Sequence, residues 1–242
     1  MLNIENLKEF IKKYQTNPRN IVREYVQSLF LSNLYKIDGA EKLLFKGGTA
    51  LRLVYLSPRF SEDIDFTGQG IYHHAEIDDL FIEALSQVAQ AGINIYFKEA
   101  KPTTGGYLGL IHYDLYGQAE DMKFEISLRK GALLRGELVT IASEFVPPYA
   151  IMQIPPKTLV SGKMAALLSR RKPRDYYDLY FMLRHPQLSK FVDKKKLEIV
   201  AGNLESERID FKRELMVLLP VSHQMILKDF KKTLKKEIDR YL

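Results

Sequence analysis

With 242 residues, 46% of them hydrophobic and 27% charged, the chain has the balance of a folded protein and material for one large or two small domains. The absence of cysteine excludes disulfides, zinc–thiolate centres and cysteine nucleophiles. A net charge of +6 favours a polyanionic partner, and no apolar run resembles a signal peptide or a membrane span, so a cytoplasmic protein without a membrane partner is expected.

The first elements are helical. Residues 4–14 predict a short helix, and after Asn17-Pro18 the series Ile21, Val22, Tyr25, Val26, Leu29, Phe30 and Leu34 repeats at helical spacing. Leu43-Leu44-Phe45 predicts a short buried strand running into a glycine turn. Residues 49–55 predict the next helix, stopped by Ser57-Pro58, and residues 64–66 the next strand, closed by Gly68 and Gly70. A helix over 77–91 leads to a strand over 93–97. Residues 107–116 and 122–128 are extended runs around a hairpin loop at 117–121. In the second run Met122, Phe124, Ile126 and Leu128 share one face, while Lys123, Glu125, Ser127 and Arg129 share the other, which turns toward water or a site. A strand over 151–154 precedes Pro155-Pro156, and everything beyond is helical. This order predicts an α+β protein, with N-terminal helices and a mixed sheet over 1–155 and a helical domain over 156–242.

The chemistry concentrates in two segments. In the first, Lys46-Gly47-Gly48-Thr49-Ala50-Leu51-Arg52 is followed by Arg59-Phe60-Ser61-Glu62-Asp63-Ile64-Asp65-Phe66. Alternation along a strand puts Asp63 and Asp65 on one face and Ile64 and Phe66 on the other. Two neighbouring carboxylates repel, which a divalent cation between them relieves. Gly47 and Gly48 let backbone amides approach a phosphate, and Thr49 is placed to contact it and open a helix. An Asp-x-Asp alone is commonly a solvated pair, and Gly-Gly-Thr alone is commonly a turn. Their order, with Arg52, Arg59 and Ser61 between, points to a metal-bound nucleoside triphosphate.

The second segment runs from Lys163 to Tyr180. Leu159, Val160, Met164, Leu167 and Leu168 give a helix its apolar face, with Lys163 and Arg170 on a neighbouring stripe. Pro173 breaks that helix, and Asp175 and Asp178 open the next, where acids favour the helix dipole and Arg174 has partners at hand. On that basis Asp178 is structural. Near the end, Lys228, Lys231, Lys232, Lys235 and Lys236 lie among Ile226, Leu227, Phe230, Leu234 and Ile238, the pattern of an amphipathic helix. Its lysines are either a solvated surface or a track for RNA. His73-His74 with Glu76 lacks any zinc-type spacing and is expected to be a loop pair.

The glycine turn leading to Asp-x-Asp, the Glu125 strand, and the Lys163 helix followed by Arg174-Asp175-Tyr176-Tyr177-Asp178-Leu179 together resemble the AbiEii/MenT family across residues 45–183. Its members are nucleotidyltransferase-like toxins of bacterial toxin–antitoxin and phage-defence loci. The resemblance implies a polymerase-β-type nucleotidyltransferase core, a helical C-terminal half, Mg²⁺ and NTP binding, an antitoxin from a neighbouring gene, and RNA as target. Some members add nucleotides to the acceptor end of tRNA. Thr49 stands where serine is usual, and the gap to Asp63 is longer than in the simplest signature.

On this reading Asp63 and Asp65 bind Mg²⁺, and Glu125 is a third ligand or the base for an RNA hydroxyl. Lys163 is the cation for the triphosphate. Asp175 is a second candidate base or a hydrogen-bond anchor. Gly47, Gly48, Thr49, Arg59 and Ser61 complete the nucleotide contacts. The alternatives are a small-molecule nucleotidyltransferase of the antibiotic-modifying kind, or a nucleotide-binding regulatory protein without turnover.

Overall fold

The computed structural model describes residues 2–128 and 133–242; Arg129, assigned above to the polar strand face, lies outside the described residues. The chain forms two compact units, one of residues 2–56 and 60–154, the other of Ser57–Arg59 and Pro155–Leu242.

The first unit opens with helices α1 (Ile4–Tyr14) and α2 (Pro18–Leu34), followed by strand β1 (Leu43–Lys46), helix α3 (Gly47–Leu53), strand β2 (Ile64–Gly68) and helix α4 (Ala75–Gln90). Strands β3 (Asn94–Thr103), β4 (Gly106–Leu115), β5 (Gln118–Leu128), β6 (Glu137–Ile141) and β7 (Tyr149–Gln153) complete it. Helix α2 is capped by the Asn17 carboxamide, which accepts from Asn20 N at 2.9 Å, and Pro18 occupies its first turn. Among the described residues the strands form one sheet in the order β3-β4-β5-β2-β1-β7-β6. β5–β2 and β1–β7 pair in parallel, and the other neighbours are antiparallel. The sheet is therefore mixed, as the sequence led us to expect, and β1 and β2 lie in its middle.

Apolar alternation explains the core. Phe45, Phe66, Phe124 and Ile126 are buried, and Phe30 of α2 packs on Phe124 (4.5 Å between ring centres) and on Phe81 of α4 (5.2 Å). Helix α2 runs through this core, so even its polar residues are buried and must be paired. Arg23 binds Glu120 at 2.8 Å, and Glu24 takes Arg52 at 2.7 Å.

Three details depart from the pattern-based expectation. The β4–β5 turn is the two residues Tyr116-Gly117 rather than a five-residue loop, with φ of 56° and 73°, the primed geometry that suits a twisted hairpin. β3 extends to Thr103 through Lys98, Lys101 and Pro102, residues that mark a sheet edge and obscure a strand in the sequence. β6 was not anticipated; it is the other edge, largely exposed, with little apolar alternation to betray it.

The second unit contains helices α5 (Pro156–Arg170), α6 (Pro173–Arg184), α7 (Lys194–Ser206), α8 (Phe211–Leu218), α9 (Val221–Gln224) and α10 (Phe230–Asp239). Prolines begin α5 and α6, where the missing N–H is not needed. Phe230 stacks on Tyr177 (5.8 Å) and meets Phe211 edge-on (4.9 Å), joining α6, α8 and α10. No helix among the described residues is long and apolar enough to cross a membrane.

Candidate active site

Strand β2 carries the first acidic pair. Ile64 and Phe66 are fully buried, while Asp63, just ahead of the strand, and Asp65 within it are half-buried. In register, Asp65 stands opposite Lys46 of β1 and opposite Glu125 of β5. Cross-strand partners share a face, so Lys46, Asp65 and Glu125 form a row across three strands, opposite the apolar side. Lys46 donates to the Ser127 hydroxyl at 2.9 Å in the same region.

The segment bearing these acids is fixed by buried side chains. Gly47 has φ of +83°, and a Cβ there would come within 1.9 Å of Asp65 Oδ2. Glycine is thus required twice, once for the backbone and once for the carboxylate beside it. Thr49 is fully buried and its hydroxyl donates to the Asp63 carbonyl. Gln27, buried on α2, donates to the Ser61 and Glu62 carbonyls at 3.1 and 3.3 Å. Three successive carbonyls ahead of β2 are therefore each met by a buried donor.

This changes the roles expected of the glycine turn. Helix α3 starts at Gly47, not Thr49; Thr49 is its third residue and does not open it. Its hydroxyl proton is donated to the Asp63 carbonyl, which ties Thr49 to the chain that carries that carboxylate. Gly48 is buried, and Ser61 is half-buried next to the Gln27 contact.

Glu125 is exposed and turned toward Lys123, which donates to it at 3.1 Å. The hydrogen bond to Glu125 raises the Lys123 ammonium above its ordinary range against the effect of burial, and the charges of Glu125, Asp63 and Asp65 add to the shift. Among the described residues no three His, Cys, Asp or Glu side chains gather closely enough to hold a metal ion. The expected trio Asp63, Asp65 and Glu125 is accordingly not a three-carboxylate cage here. Asp63 and Asp65 still suit Mg²⁺, which takes hard oxygen ligands, commonly one or two carboxylates, and keeps several waters. The His73-His74 segment holds no such set either. Glu76 accepts from the Tyr72 and His73 amides and binds Lys42 at 2.9 Å.

The second unit holds the remaining candidates. Asp178, 1% exposed, accepts from Arg59 Nε and Nη2 at 2.8 and 3.1 Å and from Lys163 Nζ at 2.7 Å. Burial pushes its carboxyl up, yet Arg59 and Lys163 hold it below the ordinary carboxylate range. Asp175, equally buried, is gripped by Arg170 through both oxygens at 2.8 and 2.7 Å and caps α6 by accepting from Lys172 N. Arg59, read from the sequence as a nucleotide contact, is a buried partner of Asp178, and Arg174 pairs with Glu214 at 3.0 Å. Lys163 retains donors beyond its single bond to Asp178.

On α10, Leu234 and Ile238 are buried beside Phe230. Lys231 donates to the Glu205 and Glu207 carbonyls at 3.1 and 3.0 Å, at the C-terminus of α7, and Lys235 pairs with Glu205. Lys228, Lys232 and Lys236 are exposed and recur one helical turn apart.

A family model described as nucleotidyl transferase AbiEii toxin, type IV toxin–antitoxin system, matches residues 29–241. No curated protein sequence matches the chain. Among solved structures, the fold is similar to MenT4, a nucleotidyltransferase toxin from Mycobacterium tuberculosis H37Rv, with TM-score 0.67 and 16% identity over 100% of this chain and 90% of that one. It is also similar to JHP933 from Helicobacter pylori, with TM-score 0.64 and 20% identity over 93% of each chain.

Two outcomes follow from this geometry. Gly47→Ala lowers stability to urea by about 2 kcal/mol or more through left-handed strain and the clash with Asp65. Adding Asp65→Gly, which removes every side-chain atom in the clash, recovers the clash portion but not the strain at position 47, with Asp65→Gly alone as the reference of the double-variant comparison. Asp178→Asn leaves Arg59 and Lys163 buried against a neutral side chain and costs about 3–5 kcal/mol at neutral pH. Because the folded Asp178 carboxyl titrates below its unfolded value, its stabilisation is present above about pH 4 and is lost as pH falls through the folded value. Denaturation curves from neutral to acid pH show this component in the parent chain and not in Asp178→Asn.

Proposed function

The chain belongs to the AbiEii nucleotidyl transferase toxin family of type IV toxin–antitoxin systems, and on that premise we propose that it transfers a nucleoside monophosphate from an NTP to a hydroxyl of RNA, with tRNA the foremost candidate. The observation that carries this reading is the pair Asp63 and Asp65, held half-buried at the middle of the sheet by Gly47, Thr49 and Gln27. Asp63 and Asp65 are assigned to hold one Mg²⁺, which when bound offsets charge on the triphosphate oxygens.

The chain's own residues do the rest. Glu125, on the same sheet face and exposed, takes the proton of the acceptor hydroxyl. The acceptor oxygen then bonds to the α-phosphorus as the bond to the departing pyrophosphate breaks. Gly47, which is next to Asp65, is assigned to the nucleotide together with Gly48 and Ser61. In the second unit Lys163 donates to Asp178 and has donors to spare beyond that bond, and Lys163 is assigned to bind a phosphate. The exposed stripe Lys228, Lys232 and Lys236 is assigned to the RNA backbone, while Lys231 and Lys235 serve the α7 end. Family membership implies an antitoxin partner, and a cytoplasmic toxin acting in phage defence is the setting this function fits.

Purified protein incubated with each labelled NTP, Mg²⁺ and total RNA yields labelled RNA with at least one NTP. Asp63→Ala and Asp65→Ala stay folded and reduce the label by at least about a hundredfold. Label only on a small-molecule acceptor, or undiminished label in either variant, overturns the assignment. RNA affinity falls with salt because each neutralised phosphate releases counterions, and replacing Lys228, Lys232 and Lys236 by Gln flattens the logarithmic salt slope by about 2. An unchanged slope returns those lysines to a solvating role.

A further inference from the structure

The polar face of the sheet does not end at Glu125. Asp121, Lys123 and Glu125 are two apart along β5 and share that face. Strand β4 pairs with them in register, Leu108 opposite Glu125, Leu110 opposite Lys123 and His112 opposite Asp121. On the next strand Tyr96 stands opposite His112. The face thus runs from Glu125, over the half-buried Leu108 and Leu110, to two rings at the β3 edge. Tyr96 is 51% exposed, its ring centre lies 5.3 Å from that of His112, and the two planes are tilted by 38°. His112 Nδ1 donates to Asp121 Oδ1 at 2.7 Å, since an ionised carboxylate can only accept, and Lys98 donates to the other Asp121 oxygen at 2.8 Å. The imidazole is thereby fixed in orientation, while the phenol beside it stays open to solvent.

We infer that Tyr96 and His112 form a stacking platform for an unpaired base of the acceptor RNA, on the sheet face that also carries Glu125. This rests on the RNA acceptor proposed above. Every nucleobase presents a π-face, and aromatic side chains on an open sheet face take it up when the strand is single. A duplex keeps its bases stacked on one another and offers no such face. From Glu125 to Asp121 is four residues of β5, about 13 Å at strand spacing. About four nucleotides span that distance at the stacked spacing of about 3.4 Å, and fewer do so once unstacked. The platform therefore holds a base close to the reacting hydroxyl, and it selects RNAs that are unpaired there.

The chain has no tryptophan, so Tyr96→Trp puts a single indole on the platform. The fluorescence of that variant is titrated, without NTP, with a single-stranded RNA of about 12 nucleotides, a length within the range such surfaces occupy, and with the same strand annealed to its complement. The single strand quenches the indole, and neither the duplex nor NTP alone does. Affinity for the single strand falls at least about fivefold in Tyr96→Leu and in His112→Leu and stays at the parent value in Tyr96→Phe, while the KM for NTP is unchanged in all three. A cross-strand ring pair also steadies a sheet, and a purely structural loss lowers Tm and disturbs the KM for NTP as well. No quenching by the single strand, equal quenching by the duplex, or undiminished affinity in both Leu variants overturns the platform; if the parent labels RNA all the same, the transfer reading stands. If the parent labels no RNA with any NTP, yet the single strand alone quenches the indole, the transfer reading falls and the platform remains as an RNA-binding surface.

Discussion

The fixing of Asp63, just ahead of β2, and Asp65, within it, by buried hydrogen bonds and a glycine is the constraint around which the acidic segment of the first unit is arranged. Left to themselves, two such carboxylates would separate or take up a proton. They are kept in place because the chain carrying them cannot move: its carbonyls are held by Gln27 and Thr49, and Gly47 leaves room for Asp65 and nothing larger. Burying Gln27 and Thr49 is favourable only while those carbonyls accept from them, so the hydrogen bonds and the site stand or fall together. Helix α2 pays for its depth in the same way, with Arg23 and Glu24 each paired.

The second unit is tied by a buried charged group of its own. There one buried carboxylate, Asp178, serves two cations, Arg59 and Lys163. The bidentate arginine fixes the carboxylate, and the carboxylate in turn fixes the more adaptable ammonium.

The helical unit also shows why charge runs are poor guides when read as a block. Five lysines cluster around α10, yet Lys231 and Lys235 close the end of α7 while Lys228, Lys232 and Lys236 project into solvent. The difference arises from what packs alongside, since lysines on neighbouring stripes of a helix, about 60–100° apart, meet different surroundings.

Much was determined locally and was therefore readable. The helical spacing of α2, the alternation of Ile64 and Phe66 with the aspartates, the proline starts of α5 and α6, and the mixed α+β class all depend on residues close in the chain. The edge strand β6 was hidden because exposed strands need little apolar alternation. Partnerships across the chain were hidden for a different reason. That Gln27 would meet carbonyls 34 and 35 residues on, that Lys46 would reach Ser127, and that Arg59 would be buried against Asp178 follows from how strands register and helices pack. Residue type decides what a side chain can bond; tertiary structure decides what lies within reach. Thr49 shows the distinction: its hydroxyl was evident from the sequence, but only the packing of α3 beside Asp63 determined that it donates to the protein's own backbone.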